Sequence, residues 1–571
     1  MKLKNIYSIM AAIALPLLGV GGLTSCSEAD SELVSFVEDN RLNTPNDTLY
    51  ALMGIIGKMQ KVADRTILLG ELRGDLTSLT DQATLDLQDI AGFKADASNP
   101  YNNARDYYAI IQNCNYFLAN ADTELTKRGY KVFEKEYAVV KAYRAWTYLQ
   151  LAINYGSVPF FTEPILAEKD ADPSKYEHRD VKWIANYFID DLEPYKDIAY
   201  PDYGSINSFN SRQFYIPIYV LLGDLCLWAE RYEEAAKFYH DYLTKQGNTR
   251  PLGASTISWH LDGPVFDRVI DDYANLFTSS SSSQVLTLIP METEEYNGVV
   301  SDLQDVFAST RDNNYYYQAT RSAAYEEISR SQTYTALFTD PVTLLRDTLY
   351  MSPDTVLENE AQRGDLRMSS IYPALTTTKT SDPYLSMSGN FSKLSQNCRK
   401  YAQSHAPVVI YRLTHVYLRY AEALNRAGYP QAAFAVLKYG LWKDNIEKYI
   451  SEEERAAAGE LISFSEYTFT RENTVGLHSR GCGNVECDST YTIPELSTKA
   501  DSILFVEDKI CDEMALETAA EGFRFYDLMR LAKHRNDPSF LADKVARRKG
   551  TKDEKLFQFL KEKKNWYLPL E

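Results

Sequence analysis

The 571-residue sequence is missing the motifs by which several enzyme classes are recognised. It has only seven histidines, which are scattered, and it has no HExxH, GxSxG or glycine-rich phosphate loop. No HxxxH pair or carboxylate cluster has the spacing of a metal site. These absences argue against metalloproteases, serine hydrolases and nucleotide-dependent enzymes, and we predict neither a cofactor nor a metal.

Positive charge is also scarce in this chain. There are 60 Lys and Arg residues against 79 Asp and Glu residues, which gives a formal net charge of -19. The sequence shows no clustered basic segment, so its composition argues against nucleic acid and anionic phospholipid as partners. The contents of 45% hydrophobic and 24% charged residues are typical of a folded chain with a sizeable core.

The seven cysteines are spread along the chain. Cys114 and Cys226 fall on the apolar faces of predicted helices, where we expect core thiols. Cys482 and Cys487 lie in the segment RGCGNVECD, close enough for a local disulfide in an oxidising compartment. Zinc binding is not expected, because no second cysteine pair and no paired histidine lies nearby.

The first 25 residues have the pattern of an export signal. Lys2 and Lys4 precede a mostly apolar run over residues 6–20, which is too short to span a bilayer comfortably. The next segment, LTSC, ends at Cys26 and resembles the bacterial lipobox, which implies cleavage before Cys26 and lipidation of that residue. The alternative is an ordinary signal peptide with an incidental cysteine. The following SEAD segment resembles the tag that sends Bacteroidetes lipoproteins to the outer face of the outer membrane.

Two segments have the pattern of antiparallel helix hairpins. In residues 409–440, apolar residues recur at helical spacing on both sides of Gly428 and Pro430, where one helix should end and the next begin. Residues 219–243 repeat this pattern, and Gly223 stands where the pattern requires a small residue. Such hairpins cannot bury their apolar faces alone and need stacked neighbours. We therefore predict a mainly α fold built on a tetratricopeptide-like helical-hairpin scaffold.

The helical pattern weakens between these hairpins. Residues 250–405 are rich in Ser, Thr, Asp and Pro and contain one strand pattern, VLTLIP, which predicts a long irregular insertion with short strands. Long loops on a rigid scaffold often carry function. We predict a single domain over residues 26–571, with helical repeats at about 47–250 and 405–571 on either side of this insertion.

Several segments, taken together and in order, resemble the SusD/RagB family of outer-membrane nutrient-capture lipoproteins. They are the lipobox at Cys26, LLGELRGDL, YNNARDYYAIIQNCNYFLANAD, VKAYRAWTYLQLAINYGSVPF, YRLTHVYLRYAEALNRAG, EGFRFYDLMR and NWYLPL. The resemblance implies a helical-hairpin scaffold, a ligand face built mostly from loops, and no catalytic activity. It also implies a lipid-anchored protein on the outer membrane, facing the cell exterior, with a SusC-like TonB-dependent transporter barrel as its partner. The ligand in this family is usually a glycan and in some members a peptide.

Two loops combine aromatic rings with planar hydrogen-bonding side chains, as a glycan site requires. The first predicted set of ligand contacts flanks one helix start and consists of Arg73, Asp75, Asn99, Tyr101 and Asn102. The second set lies in the insertion and consists of Tyr315, Tyr316 and Tyr317. Each set also has a structural alternative: Arg73 and Asp75 as a buried turn-fixing ion pair, Tyr101 as a hydrophobic staple, and the tyrosine run as an alternating strand.

The segment EGFRFYDLMR provides one catalytic alternative, a lipid-anchored glycoside hydrolase. On a continuous helix Glu521 and Asp527 would lie about 9 Å apart along the axis, within the range of about 6.5–9.5 Å found in inverting glycosidases. Arg524 lies between them, however, and we expect it to pair with either acid and hold it ionised, leaving no general acid. We therefore expect a non-catalytic binding protein, with a purely structural scaffold as the remaining alternative.

Overall fold

Helices predominate in the computed structural model of the chain. The structure describes residues 42, 44, 47–245, 250–253, 258–262, 265–270, 284–308, 317–339, 343, 346–351, 364–372, 374–375, 393–394, 397–402, 407–481 and 491–570. The predicted lipidation site Cys26, the tyrosines Tyr315 and Tyr316, and the predicted disulfide partners Cys482 and Cys487 lie outside the described residues.

The described residues contain eighteen α-helices in three groups. Before the insertion lie α1 (Asp47–Leu72), α2 (Leu85–Ala91), α3 (Ala104–Asn120), α4 (Glu134–Tyr155), α5 (Val181–Leu192), α6 (Ile218–Trp228) and α7 (Tyr232–Thr244). The insertion contributes α8 (Leu303–Phe307), α9 (Ala323–Arg330) and α10 (Leu366–Ile371). After it lie α11 (Leu413–Arg426), α12 (Pro430–Lys438), α13 (Lys443–Tyr449), α14 (Glu452–Ala458), α15 (Lys499–Thr518), α16 (Arg524–His534), α17 (Pro538–Ala546) and α18 (Glu554–Leu560).

The strands are short. In chain order they are β1 (Thr77–Leu79), β2 (Thr126–Lys127), β3 (Tyr130–Lys131), β4 (Val158–Pro159), β5 (His178–Arg179), β6 (Ser205–Ile206), β7 (Phe209–Asn210), β8 (Ser258–Asp262), β9 (Val265–Ile270), β10 (Val285–Ile289), β11 (Ala319–Arg321), β12 (Tyr334–Thr339), β13 (Arg346–Met351), β14 (Ala374–Leu375), β15 (Lys393–Leu394) and β16 (Val408–Arg412). Consecutive strands form six of the two-stranded pairs, whereas β1 pairs with β11 and β10 with β16. These two long-range pairs connect the insertion to the helical scaffold.

The two predicted helix hairpins are confirmed as α6–α7 and α11–α12. Gly223 on α6 faces the ring of Tyr239 on α7, and a Cβ atom at this glycine would lie 2.5 Å from the ring. A glycine therefore permits the close approach of these two helices. Cys114 and Cys226 are buried free thiols, as predicted. The mainly helical fold expected from the sequence is thus the observed one.

The strand predicted from VLTLIP is confirmed as β10, and its partner strand precedes α11 directly. Val285 lies opposite Arg412, and Ile289 lies opposite Val408. The apolar pattern that begins near residue 409 therefore starts with a strand, and the helix begins at Leu413. This pairing attaches one segment of the insertion to the second half of the scaffold.

The first helix and the C-terminal helices are in direct contact. A Cβ atom on Gly70 of α1 would lie 1.8 Å from the carbonyl oxygen of Gly522, so the two backbones touch. Gly522 has a φ of 85°, in the left-handed region that favours glycine. Near the C-terminus, the Leu568 amide donates to the Asn154 carbonyl of α4 (2.9 Å). None of the described helices is both long enough and apolar enough to cross a membrane.

Candidate ligand-binding site

Arg73, a predicted ligand contact, is 1% exposed and directly follows α1. Its guanidinium donates to Asn154 Oδ1 (2.7 Å) and to the carbonyls of Leu69 (2.8 Å) and Trp566 (3.1 Å). The guanidinium carbon also lies 4.5 Å from the centre of the Phe525 ring. These contacts join α1 to α4, to α16 and to the C-terminal segment.

Asp75, two residues further on, is also 1% exposed and pairs with Arg524. The Arg524 guanidinium donates to both carboxylate oxygens, at 2.6 and 2.9 Å. Burial alone would raise the pKa of Asp75, but the charge and hydrogen bonds of Arg524 bring it below its ordinary value. The turn-fixing ion pair therefore joins Asp75 to Arg524, not to Arg73. Arg73 and Asp75 are thus buried and bonded to the scaffold. The ligand contacts predicted for these two residues would require these hydrogen bonds to break.

Asn99 and Asn102, in the segment before α3, are buried as well. Asn99 Oδ1 accepts from the Tyr101 amide (3.0 Å), and its Nδ2 donates to the Asp86 carbonyl (2.9 Å), so Asn99 shapes the turn. Asn102 Nδ2 donates to the Pro569 carbonyl at 3.3 Å. The Oδ1 atom of Asn102 is buried and has no hydrogen-bond partner among the described residues.

Tyr101 is half-buried, and its ring packs against the hydrophobic core. Burial raises the pKa of its hydroxyl to about 12, and the carboxylates of Asp302, Asp64 and Asp86 add to this effect. The hydroxyl therefore stays protonated at neutral pH and can donate a hydrogen bond. A hydrophobic staple uses the residue directly before the helix cap, and the cap is Asn103, so Tyr101 does not hold the staple position.

The insertion returns to this same part of the surface. Next to the β1–β11 pair, Thr80 Oγ1 donates to the Tyr317 carbonyl (2.8 Å), and the Thr84 amide donates to Gln318 Oε1 (3.0 Å). Tyr317, which is partly exposed, therefore lies beside the loop that follows β1. Tyr317, the described member of the second predicted set, thus contacts the segment between β1 and α3, which also contains Asn99, Tyr101 and Asn102 of the first set.

A second contact joins the insertion to α1 near Tyr101. Ser301 Oγ and the Asp302 amide each donate to one carboxylate oxygen of Asp64, at 2.7 Å in both cases. Burial raises the pKa of Asp64 to about 6, although these two hydrogen bonds lower it. Tyr296 lies on the same segment and is 85% exposed. Sequence reasoning missed these four residues because Asp64 and Ser301 are 237 positions apart.

The segment EGFRFYDLMR begins with a buried, ionised glutamate. Glu521 accepts hydrogen bonds from the Arg412 guanidinium at 2.7 and 2.8 Å, and it lies 2.9 Å from a ring nitrogen of His415. Burial raises the pKa of Glu521, but Arg412 and Lys400 bring it well below the ordinary value. A carboxylate in this state cannot act as a general acid.

The predicted pairing of Arg524 with Glu521 or Asp527 is wrong. Glu521 lies in the turn before α16, which begins at Arg524, so the helical spacing assumed for these residues does not apply. Arg524 pairs with Asp75 instead, and Asp527 accepts from Arg530 at 2.8 Å. This segment joins distant parts of the scaffold and gives no support to the hydrolase alternative.

These features define a class of protein. Stacked helix hairpins form the scaffold, and segments of the insertion that carry tyrosine and polar side chains contact it beside β1 and beside α1. Such an arrangement is typical of a helical-repeat binding protein.

The particular family follows from comparison with known proteins. A model of the SusD family matches residues 232–571, which is more than half of the chain, and the protein belongs to this family. The predicted resemblance to the SusD/RagB family is therefore confirmed.

Solved structures share this fold at low sequence identity. A SusD homologue from Bacteroides thetaiotaomicron has a TM-score of 0.57 at 16% identity, with 90% of each chain covered. A SusD superfamily protein from Bacteroides vulgatus has a TM-score of 0.55 at 13% identity, covering 90% of this chain and 92% of that one. A SusD-like carbohydrate-binding protein from Bacteroides fragilis has a TM-score of 0.54 at 14% identity, covering 87% and 88%. No curated protein matches the sequence.

Proposed function

We propose that this protein captures an oligosaccharide at the outer face of the outer membrane and delivers it, unaltered, to a SusC-like TonB-dependent transporter. Lipidation of Cys26 would hold it at the membrane. Membership of the SusD family supports this role, as does the fold shared with a SusD-like carbohydrate-binding protein. The observation that carries the proposal is that the insertion contacts the scaffold beside Tyr101, through Asp302, and beside Thr80, through Tyr317.

The chemistry of this surface suits a sugar. An exposed tyrosine ring such as that of Tyr296 can cover the apolar face of a pyranose, while neighbouring polar groups bind its hydroxyls. Tyr101 supplies a protonated hydroxyl, and the exposed Asp302 beside it supplies a carboxylate acceptor. Hydroxyl-rich ligands match this mixture of donors and acceptors better than apolar ones do.

Calorimetry with a panel of neutral and acidic oligosaccharides and short peptides tests the proposal. We expect Tyr101→Ala and Tyr296→Ala each to weaken binding of an oligosaccharide about two- to tenfold, since aromatic contacts of this kind contribute roughly 0.5–1.5 kcal/mol. The control is Tyr467→Ala, because Tyr467 is 95% exposed and lies in a different part of the sequence. Equal affinities for all three variants would refute the site. Binding of peptides alone would favour a peptide ligand, and release of reducing ends would contradict a non-catalytic role.

The partner is tested separately. The lipidated protein, solubilised from outer membranes, should co-purify with a large barrel protein. Failure to recover any barrel would contradict the delivery step, while leaving the capture step to the calorimetry.

A further inference from the structure

Positive charge is concentrated near the C-terminus. Residues 533–564 contain eleven Lys and Arg residues against five Asp and Glu residues, although the whole chain has a net charge of -19. The expectation that basic residues are not clustered is therefore wrong for this segment. It was wrong because a charge count over the whole chain hides a local excess of opposite sign.

This basic segment borders a groove of about 1020 Å³. Lys94 lines the groove from the loop after α2, and Lys549 and Lys555 line it from the region of α17 and α18. A second hollow of about 970 Å³ adjoins the first, because Phe93 and Phe559 line both. The centres of these two rings are 6.4 Å apart. The two hollows thus adjoin at this aromatic pair, and together we call them the lysine groove.

The charge in the lysine groove is not neutralised by the protein itself. Three exposed lysines have no carboxylate within 4.0 Å among the described residues, namely Lys94, Lys549 and Lys555. Lys552 also lines the groove, but its Nζ lies 3.2 Å from Asp543. Four carboxylates line the two hollows. Asp553 caps α18 by accepting from two backbone amides at 3.0 and 3.1 Å, Asp180 accepts from the Trp183 amide at 2.9 Å, Glu230 pairs with Lys182 at 2.8 Å, and Asp81 is exposed. The groove thus presents more free positive than negative charge.

We propose that the lysine groove binds an acidic oligosaccharide. Its uronate or sulfate groups would lie against Lys94, Lys549 and Lys555, and its sugar rings against Phe93 and Phe559. This inference rests on the proposed function and assigns a ligand class to it.

Two observations favour a saccharide over an anionic membrane surface. The basic side chains and the aromatic pair line a concave groove, which fits a flexible chain of sugars better than the plane of a bilayer. In addition, Thr80 lines the groove and also donates to the Tyr317 carbonyl (2.8 Å). The groove therefore opens next to the loops already proposed to bind a ligand, and one oligosaccharide chain can extend from those loops into it.

Binding of charged and neutral saccharides by matched variants tests this inference. The probes are oligogalacturonates, their methyl esters of equal length, sulfated chondroitin oligosaccharides, a panel of neutral oligosaccharides, and vesicles containing anionic phospholipid. The test variant combines Lys94→Gln, Lys549→Gln and Lys555→Gln. The control variant removes the same charge elsewhere and combines Lys127→Gln, Lys135→Gln and Lys237→Gln, all at exposed lysines.

We expect the wild-type protein to prefer an acidic oligosaccharide to its neutral counterpart, and to lose affinity as salt concentration rises. The test variant should bind the acidic ligand about tenfold more weakly, because each exposed ion pair contributes only a fraction of a kcal/mol. The control variant should bind like the wild type. The uronate and sulfate probes then show which acidic group is preferred.

Equal binding by the test and control variants, or a preference for neutral saccharides, would overturn the lysine groove while leaving the proposed function intact. Binding to vesicles without binding to any acidic saccharide would also overturn it. Binding to no saccharide at all would refute the proposed function as well.

Discussion

Replacement of Arg524 by Met tests how the first helix is held to the C-terminal helices. The side chains of Arg524 and Asp75 are 1% and 2% exposed and share two hydrogen bonds. With an effective dielectric constant of about 20 and about 4 Å between charge centres, their attraction is about 4 kcal/mol. Removal of one partner of a buried pair costs roughly 3–5 kcal/mol, because the other charge stays buried. We therefore expect Arg524→Met to lower the free energy of unfolding by about 4 kcal/mol.

The pH dependence of the free energy of unfolding tests the same ion pair independently, because its direction should differ between the wild type and Arg524→Met. In the wild type the pKa of Asp75 is lowered on folding. Its contribution to stability is therefore complete above the unfolded pKa of about 3.9 and is lost as pH falls through the folded value. In Arg524→Met, burial without a partner should raise the pKa of Asp75 above its unfolded value. The variant should then recover stability as pH falls from 7 towards 5, whereas the Asp75 contribution in the wild type should not change over that range.

Urea unfolding followed by circular dichroism measures both effects. The control is Arg547→Met, which breaks an exposed pair with Asp543 (2.8 Å) and should cost less than about 1 kcal/mol. The double variant Asp75→Asn, Arg524→Met should recover part of the loss, because no buried charge remains without a partner. The reasoning is refuted if Arg524→Met unfolds at the same urea concentration as Arg547→Met, or if the double variant is no more stable than Arg524→Met.

Three further predictions follow from local geometry. Gly70→Ala should unfold the protein at a much lower urea concentration, because its Cβ would lie 1.8 Å from the Gly522 carbonyl oxygen, whereas Gly54→Ala on the same helix has no neighbour within 4 Å and should be neutral or slightly stabilising. The folded pKa of Asp64 is raised to about 6, so the contribution of Asp64 to stability should grow as pH falls from about 6 to about 4. Thermal melts should show a smaller gain over this range for Asp64→Asn than for the wild type, and an equal gain would contradict the assignment. Cys26→Ala should abolish incorporation of labelled fatty acid, and continued labelling would place the lipid elsewhere.

The hairpins could be predicted from the sequence because their evidence is local. Helical spacing, a breaker and a small residue such as Gly223 all fall within one short segment. The partner of Asp75 could not be predicted in this way, since Arg524 is 449 positions away. Charged residues beside glycines occur both in exposed turns and in tightly packed junctions between helices. The segment LLGELRGDL is buried and forms such a junction.

The candidate site was predictable only in part for a related reason. Asn99, Tyr101 and Asn102 are predicted ligand contacts because the sequence places an aromatic ring beside planar hydrogen-bonding side chains there, in one short segment. Tyr296 lies in a three-residue 3-10 helix, which is too short to show a periodic pattern, so nothing in the sequence shows that its segment packs against α1. Long-range contacts decide which loops meet, and single-sequence patterns report mainly short-range ones.

Buried charges also hold the insertion at a second point, through Arg367. This fully buried guanidinium donates to Asp365 in its own segment and to Glu513 (2.9 Å) and Glu517 (3.2 Å) on α15. Burial raises the pKa of Glu517, but three arginines, including Arg367, bring it to about 2, so it stays ionised at neutral pH. The planar guanidinium can hydrogen-bond to these carboxylates in only one orientation, so it fixes the position of its segment against α15. An apolar contact would allow the two surfaces to shift relative to each other. Because the insertion is also held by β10–β16 and β1–β11, the segments that we propose to bind a ligand are positioned before it arrives, which would reduce the free-energy cost of ordering them on binding.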